Sequence, residues 1–213
     1  MLFEAFETSN CPGFVIFTDE PLRAKMLVAH HLEYAATIYE QDDISVCFGS
    51  YKQAGIAVVS TGFRRDNTAE FLREAKRSGA TGLIYLGECV SHSRAHPLRT
   101  VINADGGDPA LLAKAQTAAS RYDIPVTVAP VLPTCNASDG VMHGAGGIDC
   151  DSGGVVCGAA FDFYSSAKEC NLAALSVLTV TKNTGTGEQM EEHERRSRLY
   201  NAARLAFETA VLY

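Results

Sequence analysis

Short apolar runs alternate along the chain with longer stretches whose apolar residues recur every third or fourth position, the pattern of strands alternating with helices. Phe14-Val15-Ile16-Phe17 reads as a strand, and the turn Asp19-Glu20-Pro21 feeds a helix predicted over 22–39, with Leu22, Met26, Ala29 and Leu32 near helical spacing. Strands over 44–51 and 56–60 flank Lys52-Gln53-Ala54-Gly55, which reads as a hairpin turn. A helix over 68–78 is stopped by Gly79, and the apolar strand 82–86 follows. Strands over 100–104 and 126–132 enclose a helix over 109–122 with Pro109 in its first turn. The segment 136–154, rich in Gly, Asp and Ser, has no period and reads as a long loop of the kind that often carries function. Val155-Val156, a helix over 159–170, a strand over 174–181 and a helix over 191–212 complete the order. Strands and helices in alternation, with short buried apolar runs, predict an α/β fold: three α/β/α layers around a mixed central sheet.

Composition narrows the class. The chain has 213 residues, 46% of them hydrophobic and 20% charged, which suits one domain over 1–213 with a full core. No apolar run approaches the roughly 18 residues that span a bilayer, and Met1-Leu2-Phe3-Glu4 lacks the basic-then-apolar pattern of a signal peptide, so a cytoplasmic protein is expected. A formal charge of −7 gives no basic stripe for nucleic acid. Seven cysteines, 11, 47, 89, 135, 150, 157 and 170, contain no C-x-x-C pair and read as reduced thiols.

Four stretches, in order, resemble the nucleoside phosphorylase superfamily, and within it the hexameric, bacterial-type purine nucleoside phosphorylases. Asp19-Glu20-Pro21-Leu22-Arg23-Ala24-Lys25 is similar to that family's Gly-Asp-Pro-x-Arg-Ala turn, and Phe48-Gly49-Ser50-Tyr51-Lys52 to its Thr-Gly-x-Tyr-Lys hairpin. Leu83-Ile84-Tyr85-Leu86-Gly87-Glu88-Cys89 is similar to Ile-Ile-Arg-Val-Gly-Ser-Cys. Leu178-Thr179-Val180-Thr181-Lys182-Asn183, with Glu188-Gln189 and Glu194-Arg195, is similar to the Thr-Val-Ser-Asp-His strand and the helix after it. The resemblance implies a nucleoside phosphorylase-like fold, a small-molecule nucleoside or base as ligand, no cofactor or metal, and a homo-oligomer, either a dimer or a trimer of dimers.

The resemblance also implies where the chemistry would sit, and there the charges differ. Phosphorolysis needs a cationic cradle that holds an oxyanion beside the anomeric carbon. Arg23 matches the family's helix-start arginine. The arginine of the third motif is Tyr85 here, its phosphate-ligating serine is Glu88, the arginine from a neighbouring subunit falls at Asp43, and the first turn glycine at Asp19. These changes move the site towards negative charge, which repels a dianion. Arg64 and Arg65, after Gly62, are either replacement phosphate ligands or surface arginines beside Asp66. The family's proton-donating aspartate is Lys182. Its ribose-binding carboxylate falls on Ala159 without a gap, or on Asp162 with one, so Asp162 is either a ribose ligand or a helix N-terminal acid. Arg195 matches the arginine that assists the missing acid.

Other candidates are weaker. Cys89, His92 and His96 have a metal-like spacing but lie in a stretch that reads as exposed loop. His30-His31 read as a surface or interface pair, and Asp139, His143, Asp149 and Asp151 as turn or base-covering residues of the glycine-rich loop. The functional readings are an enzyme that cleaves or forms an N-glycosidic bond without ordinary phosphate-dependent phosphorolysis, a non-catalytic ligand-binding paralogue, and a subunit of an oligomer.

Overall fold

Phe14–Thr18 forms β1, and all five of its residues are buried. A strand with neighbours on both edges and helices over both faces needs an apolar side chain at nearly every position, which is what this run supplies. A computed structural model of the chain describes residues 12–62, 66–133, 153–197 and 199–213. Within them β1 leads to α1 (Pro21–His31), β2 (Glu33–Gln41), β3 (Ile44–Tyr51), β4 (Ala54–Thr61) and α2 (Asp66–Arg77). Next come β5 (Gly82–Ser91), β6 (Val101–Ala104), α3 (Pro109–Arg121), β7 (Val126–Ala129), β8 (Val131–Leu132) and β9 (Val155–Val156). The described chain ends with α4 (Gly158–Glu169), β10 (Ala173–Asn183), β11 (Glu188–Gln189), α5 (Glu192–Ser197) and α6 (Tyr200–Leu212).

The main sheet runs β2-β3-β4-β1-β5-β10-β6-β7. Its centre is parallel, with β1 between β4 and β5 and β10 beside β5, whereas β2–β3, β3–β4 and β10–β6 are antiparallel. One face packs Phe71, Leu72 and Ala75 of α2 and Ala160, Phe163 and Ala167 of α4. The other packs Ala24 and Leu27 of α1, Leu111 and Ala115 of α3, and Leu205 and Phe207 of α6. This is the expected three-layer α/β/α arrangement around a mixed sheet. Among the described residues no helix is long and apolar enough to cross a membrane.

Several predicted boundaries shift. The helix predicted over 22–39 ends at His31: Leu32 is extended, Tyr34 turns to φ 54°, and 33–41 becomes the edge strand β2. Thr37-Ile38-Tyr39 favours a strand over the helical spacing upstream. The β3–β4 turn is two residues, Lys52 and Gln53, both left-handed at φ 49° and 72°, which suits the twist of a tight hairpin. The strand predicted over 126–132 divides at Pro130, which has no N–H for a ladder and whose carbonyl instead accepts from Val155 at 2.9 Å. The helix predicted over 191–212 is two helices, α5 and α6, with Leu199 as the N-cap of the second. Most of the predicted loop 136–154 lies outside the described residues.

Register positions the site. Phe17 of β1 lies beside Tyr85 of β5, and Glu88 of β5 beside Thr179 of β10. The C-terminal ends of β1, β5 and β10 therefore meet along one edge, where α1 starts and an irregularity between Val180 and Lys182 bends β10.

Candidate active site at the sheet edge

Three elements bring the cluster together. Glu20 caps α1 by accepting from the Leu22 N–H at 3.2 Å, and Pro21 fits the first helical position, where no amide hydrogen is needed. Arg23 then lies one turn into α1, only 2% exposed and directed at the sheet edge.

Its guanidinium is almost fully engaged. Nη1 donates to Thr18 Oγ1 at 3.2 Å and to Asp19 Oδ1 at 3.3 Å. Nη2 donates to Glu88 Oε1 at 2.5 Å and to the carbonyl of Arg195 at 3.2 Å. The second oxygen of Glu88 accepts from the Thr181 hydroxyl at 3.2 Å and lies 3.3 Å from Arg195 Nε. A carboxylate of the chain itself thus fills the point where two arginines and a threonine converge. Among the described residues the Nε atoms of Arg23 and Arg195 have no hydrogen-bond acceptor. Glu194, next to Arg195, holds α5 through a two-pronged pair with Arg99 at 2.7 and 2.9 Å.

The other predicted residues distribute unevenly. Tyr85 is buried at the next layer of β5, beside Phe163 at 5.7 Å between ring centres. Burial, with the negative charge of Asp19 nearby, pushes its phenol pKa well above the ordinary value, so it stays a neutral hydroxyl. Gly62 follows β4, whose Thr61 hydroxyl reaches the carbonyl of Thr18 at 3.5 Å. Its φ of +63° and the 3.1 Å that would separate an added Cβ from Asp43 favour glycine there. Asp43 is exposed, and its carbonyl accepts from the Ser60 hydroxyl at 2.8 Å. Lys182 is exposed on β10, paired through its backbone with Val90 and Gln189, and its amine makes no hydrogen bond or ion pair among the described residues. Asp162 is half-buried on α4, one position before the Phe163 ring that packs on Phe17 and Tyr85. Arg64 and Arg65 lie outside the described residues, as do Cys11, Cys135, Cys150, Asp139, His143, Asp149 and Asp151. Thr18 and Thr181, which the sequence reading did not single out, complete the cluster; their only signal is their place at strand ends beside the charged residues.

The weaker candidates also resolve. Cys47, Cys89 and Cys157 are buried thiols and Cys170 is half-buried. Burial raises the Cys89 thiol pKa, which disfavours a reactive thiolate. His92 contacts the Thr184 hydroxyl at 2.5 Å through Nδ1. His96 is buried, against the expectation of an exposed loop, because Asn183 anchors that loop by donating to the carbonyls of Ser93 at 2.8 Å and His96 at 2.7 Å. Among the described residues no group of three or more His, Cys, Asp or Glu could hold a metal ion.

No protein-family model matches the chain. Its sequence is similar to the DeoD-type purine nucleoside phosphorylase of Tolumonas auensis, 25% identical over 93% of both chains. It is also similar to that of an Exiguobacterium species, 26% identical over 92% of both, and to that of Bacillus velezensis, 25% identical over 95% of this chain and 96% of the relative. In fold it is similar to the crystal structure of purine nucleoside phosphorylase from Toxoplasma gondii in complex with immucillin-H, with a TM-score of 0.81, 14% identity, and 94% and 91% of the two chains covered.

Proposed function

The chain belongs to the nucleoside phosphorylase superfamily, and on that footing we propose that it binds a nucleoside- or nucleobase-like ligand at the C-terminal edge of its sheet without using phosphate as the attacking group. One observation carries this reading: Glu88 occupies Arg23 and Arg195, the cations that would otherwise face an oxyanion. Asp19 on the other arm of Arg23 adds a second negative charge. A phosphate dianion entering there would displace one carboxylate and lie against the other.

In this reading Arg23, Glu88 and Thr181 form the polar floor of the site. Asp162 offers a carboxylate for ligand hydroxyls, Gly62 shapes the adjoining turn, and Tyr85 supports the floor from the layer below. Cleavage of an N-glycosidic bond would then take water as the acceptor, with Lys182 as the donor to the leaving base and Arg195 on the Glu88 carboxylate. A second reading, a non-catalytic ligand-binding paralogue or oligomer subunit, draws on Lys182: no described group orients its exposed amine. The exposed edge strand β2, where Tyr34 is 92% accessible, fits the homo-oligomeric assembly expected from the sequence.

The test is incubation with inosine, adenosine and uridine, with and without phosphate, following free base and melting temperature. The expected outcome is a rise in melting temperature with nucleoside or base, and no stimulation of base release by phosphate. Phosphate-dependent release overturns the reading. Stabilisation without any release favours the non-catalytic paralogue.

A further inference from the structure

We propose that the cleft between the start of α6 and strands β6 and β10 is a second ligand site, which takes the carboxylate of a small organic monoanion. Arg99, Val101, Thr179, Glu194 and the first turn of α6 line it, whereas Arg23, Glu88 and Arg195 are not among its described lining. The inference needs neither a nucleoside nor the reading given to the Glu88 cluster.

Two independent features leave donors in this cleft. Thr179 of β10 is 4% exposed and lines the cleft, yet its hydroxyl has no hydrogen-bond partner among the described residues. A buried hydroxyl is costly to leave unmet. It lies opposite Val101 in the β10–β6 ladder, so both residues sit at the base of the cleft on fixed strands. The second feature is the start of α6, a helix of 13 residues whose cap position is Leu199. An apolar side chain cannot accept from the first-turn N–H groups, and no side-chain hydrogen bond caps this end. Leu199 is buried in the core instead, and Tyr200, Asn201 and Ala202 of the uncapped turn line the cleft.

The charges select a monoanion. Arg99 and Glu194 form a two-pronged pair on the wall at 2.7 and 2.9 Å, so their charges offset each other. The Arg99 backbone fixes that wall, its N–H donating to the Val180 carbonyl at 2.9 Å. What remains is the positive end of α6, equivalent to about half a charge, and the neutral Thr179 donor. One carboxylate is matched by this, whereas a dianion would lie near Glu194 with too little positive charge to offset it. Val101, Leu199 and Ala202 supply apolar surface for the rest of the ligand. The cleft measures about 310 Å³, at the small end for ligand sites, which suits a single ring or a short chain.

The experiment follows melting temperature and calorimetric binding in sodium benzoate, acetate and phosphate, each against chloride of matched ionic strength. Wild type, Thr179→Val and Asn201→Asp are compared. Benzoate, and acetate more weakly, should raise the melting temperature of wild type above the chloride control, and phosphate should not. Thr179→Val exchanges the unpartnered hydroxyl for a methyl group of the same shape, so it should be at least as stable as wild type in chloride. Its benzoate affinity should fall by about tenfold or more, the scale of one charge-assisted hydrogen bond. Asn201→Asp places a carboxylate on the exposed first turn and should weaken benzoate in the same direction. The inference is overturned if benzoate stabilises wild type no more than chloride does, or if Thr179→Val binds it as tightly as wild type. A phosphate response that Thr179→Val abolishes would overturn the choice of a monoanion. Phosphate stabilisation that survives Thr179→Val counts against the functional reading alone, so the two fail separately. Should Thr179→Val not fold, Asn201→Asp decides by the same titration.

Discussion

Two charge networks lie at opposite edges of the sheet, and they differ in what they leave open. At the edge where β4 begins, Glu208 of α6, 4% exposed, accepts from Lys52 at 2.6 Å and Tyr51 at 2.8 Å, while Lys52 also donates to Tyr122 at 2.9 Å. Burial alone would raise the Glu208 pKa, but the hydrogen bonds from Lys52, Tyr51 and Tyr122 outweigh it and the pKa is lowered. Tyr51 answers with a phenol pushed up to about 12 by burial and by Glu208. Phe207 packs beside them, stacked on His31 at 4.5 Å and tilted against Tyr51 at 5.1 Å. Around Glu208 the donors are matched to acceptors, and the left-handed turn at Lys52 is held in place. At the other edge, Arg23 Nε has no acceptor among the described residues, and Arg195 Nε meets a partly exposed Glu88 at 3.3 Å without making a hydrogen bond. Satisfied polar groups brace a fold, whereas leftover capacity beside solvent marks a place for a ligand.

The contrast can be broken in three ways. Phe207→Ala empties a fully buried site against His31 of α1 and Tyr51 of β3 and should cost about 3–5 kcal/mol in denaturant unfolding; a loss below about 1 kcal/mol would mean that this edge is not the brace. Glu208→Gln keeps the hydrogen-bonding shape but removes the charge, and should cost about 1–2 kcal/mol while leaving the response to phosphate unchanged. A new phosphate response in that variant would erase the distinction between the two edges. The smallest effect is in pH. The His31 pKa is lowered from 6.5, by burial first and by His30 second, against an opposing pull from Glu208. A lowered histidine leaves the unfolded chain binding the proton more readily, so stability is full above pH 6.5 and declines below it, by less than about 1 kcal/mol because solvent screens this half-exposed ring. The melting temperature of wild type should therefore fall between pH 7 and 5 more than that of His31→Phe, and parallel curves would remove His31 from the account.

The layer architecture was legible because β1, β5 and β10 are apolar on both faces, and because Pro109 and Gly79 punctuate the helices. Strand β2 was not. It is an edge strand with neither face well buried, so its side chains carry no period, and its alanines and glutamates extend the helical pattern of α1. The break between α5 and α6 has neither proline nor glycine to announce it. In the site, the Arg23–Asp19 pair spans four positions and so has a local basis in the chain. That Glu88 takes the shorter bond, 65 residues distant, depends on the β1–β5 register, and the Arg195 contribution, 172 residues away, on how α5 closes over α1. Pairings across such separations are set by topology and leave no local trace.

The most direct measurement is a crystal structure of the wild-type protein grown with a nucleoside in high phosphate. The account predicts Glu88 on Arg23, with no phosphate within hydrogen-bonding distance of that guanidinium. Phosphate seated on Arg23 with Glu88 swung away would contradict it.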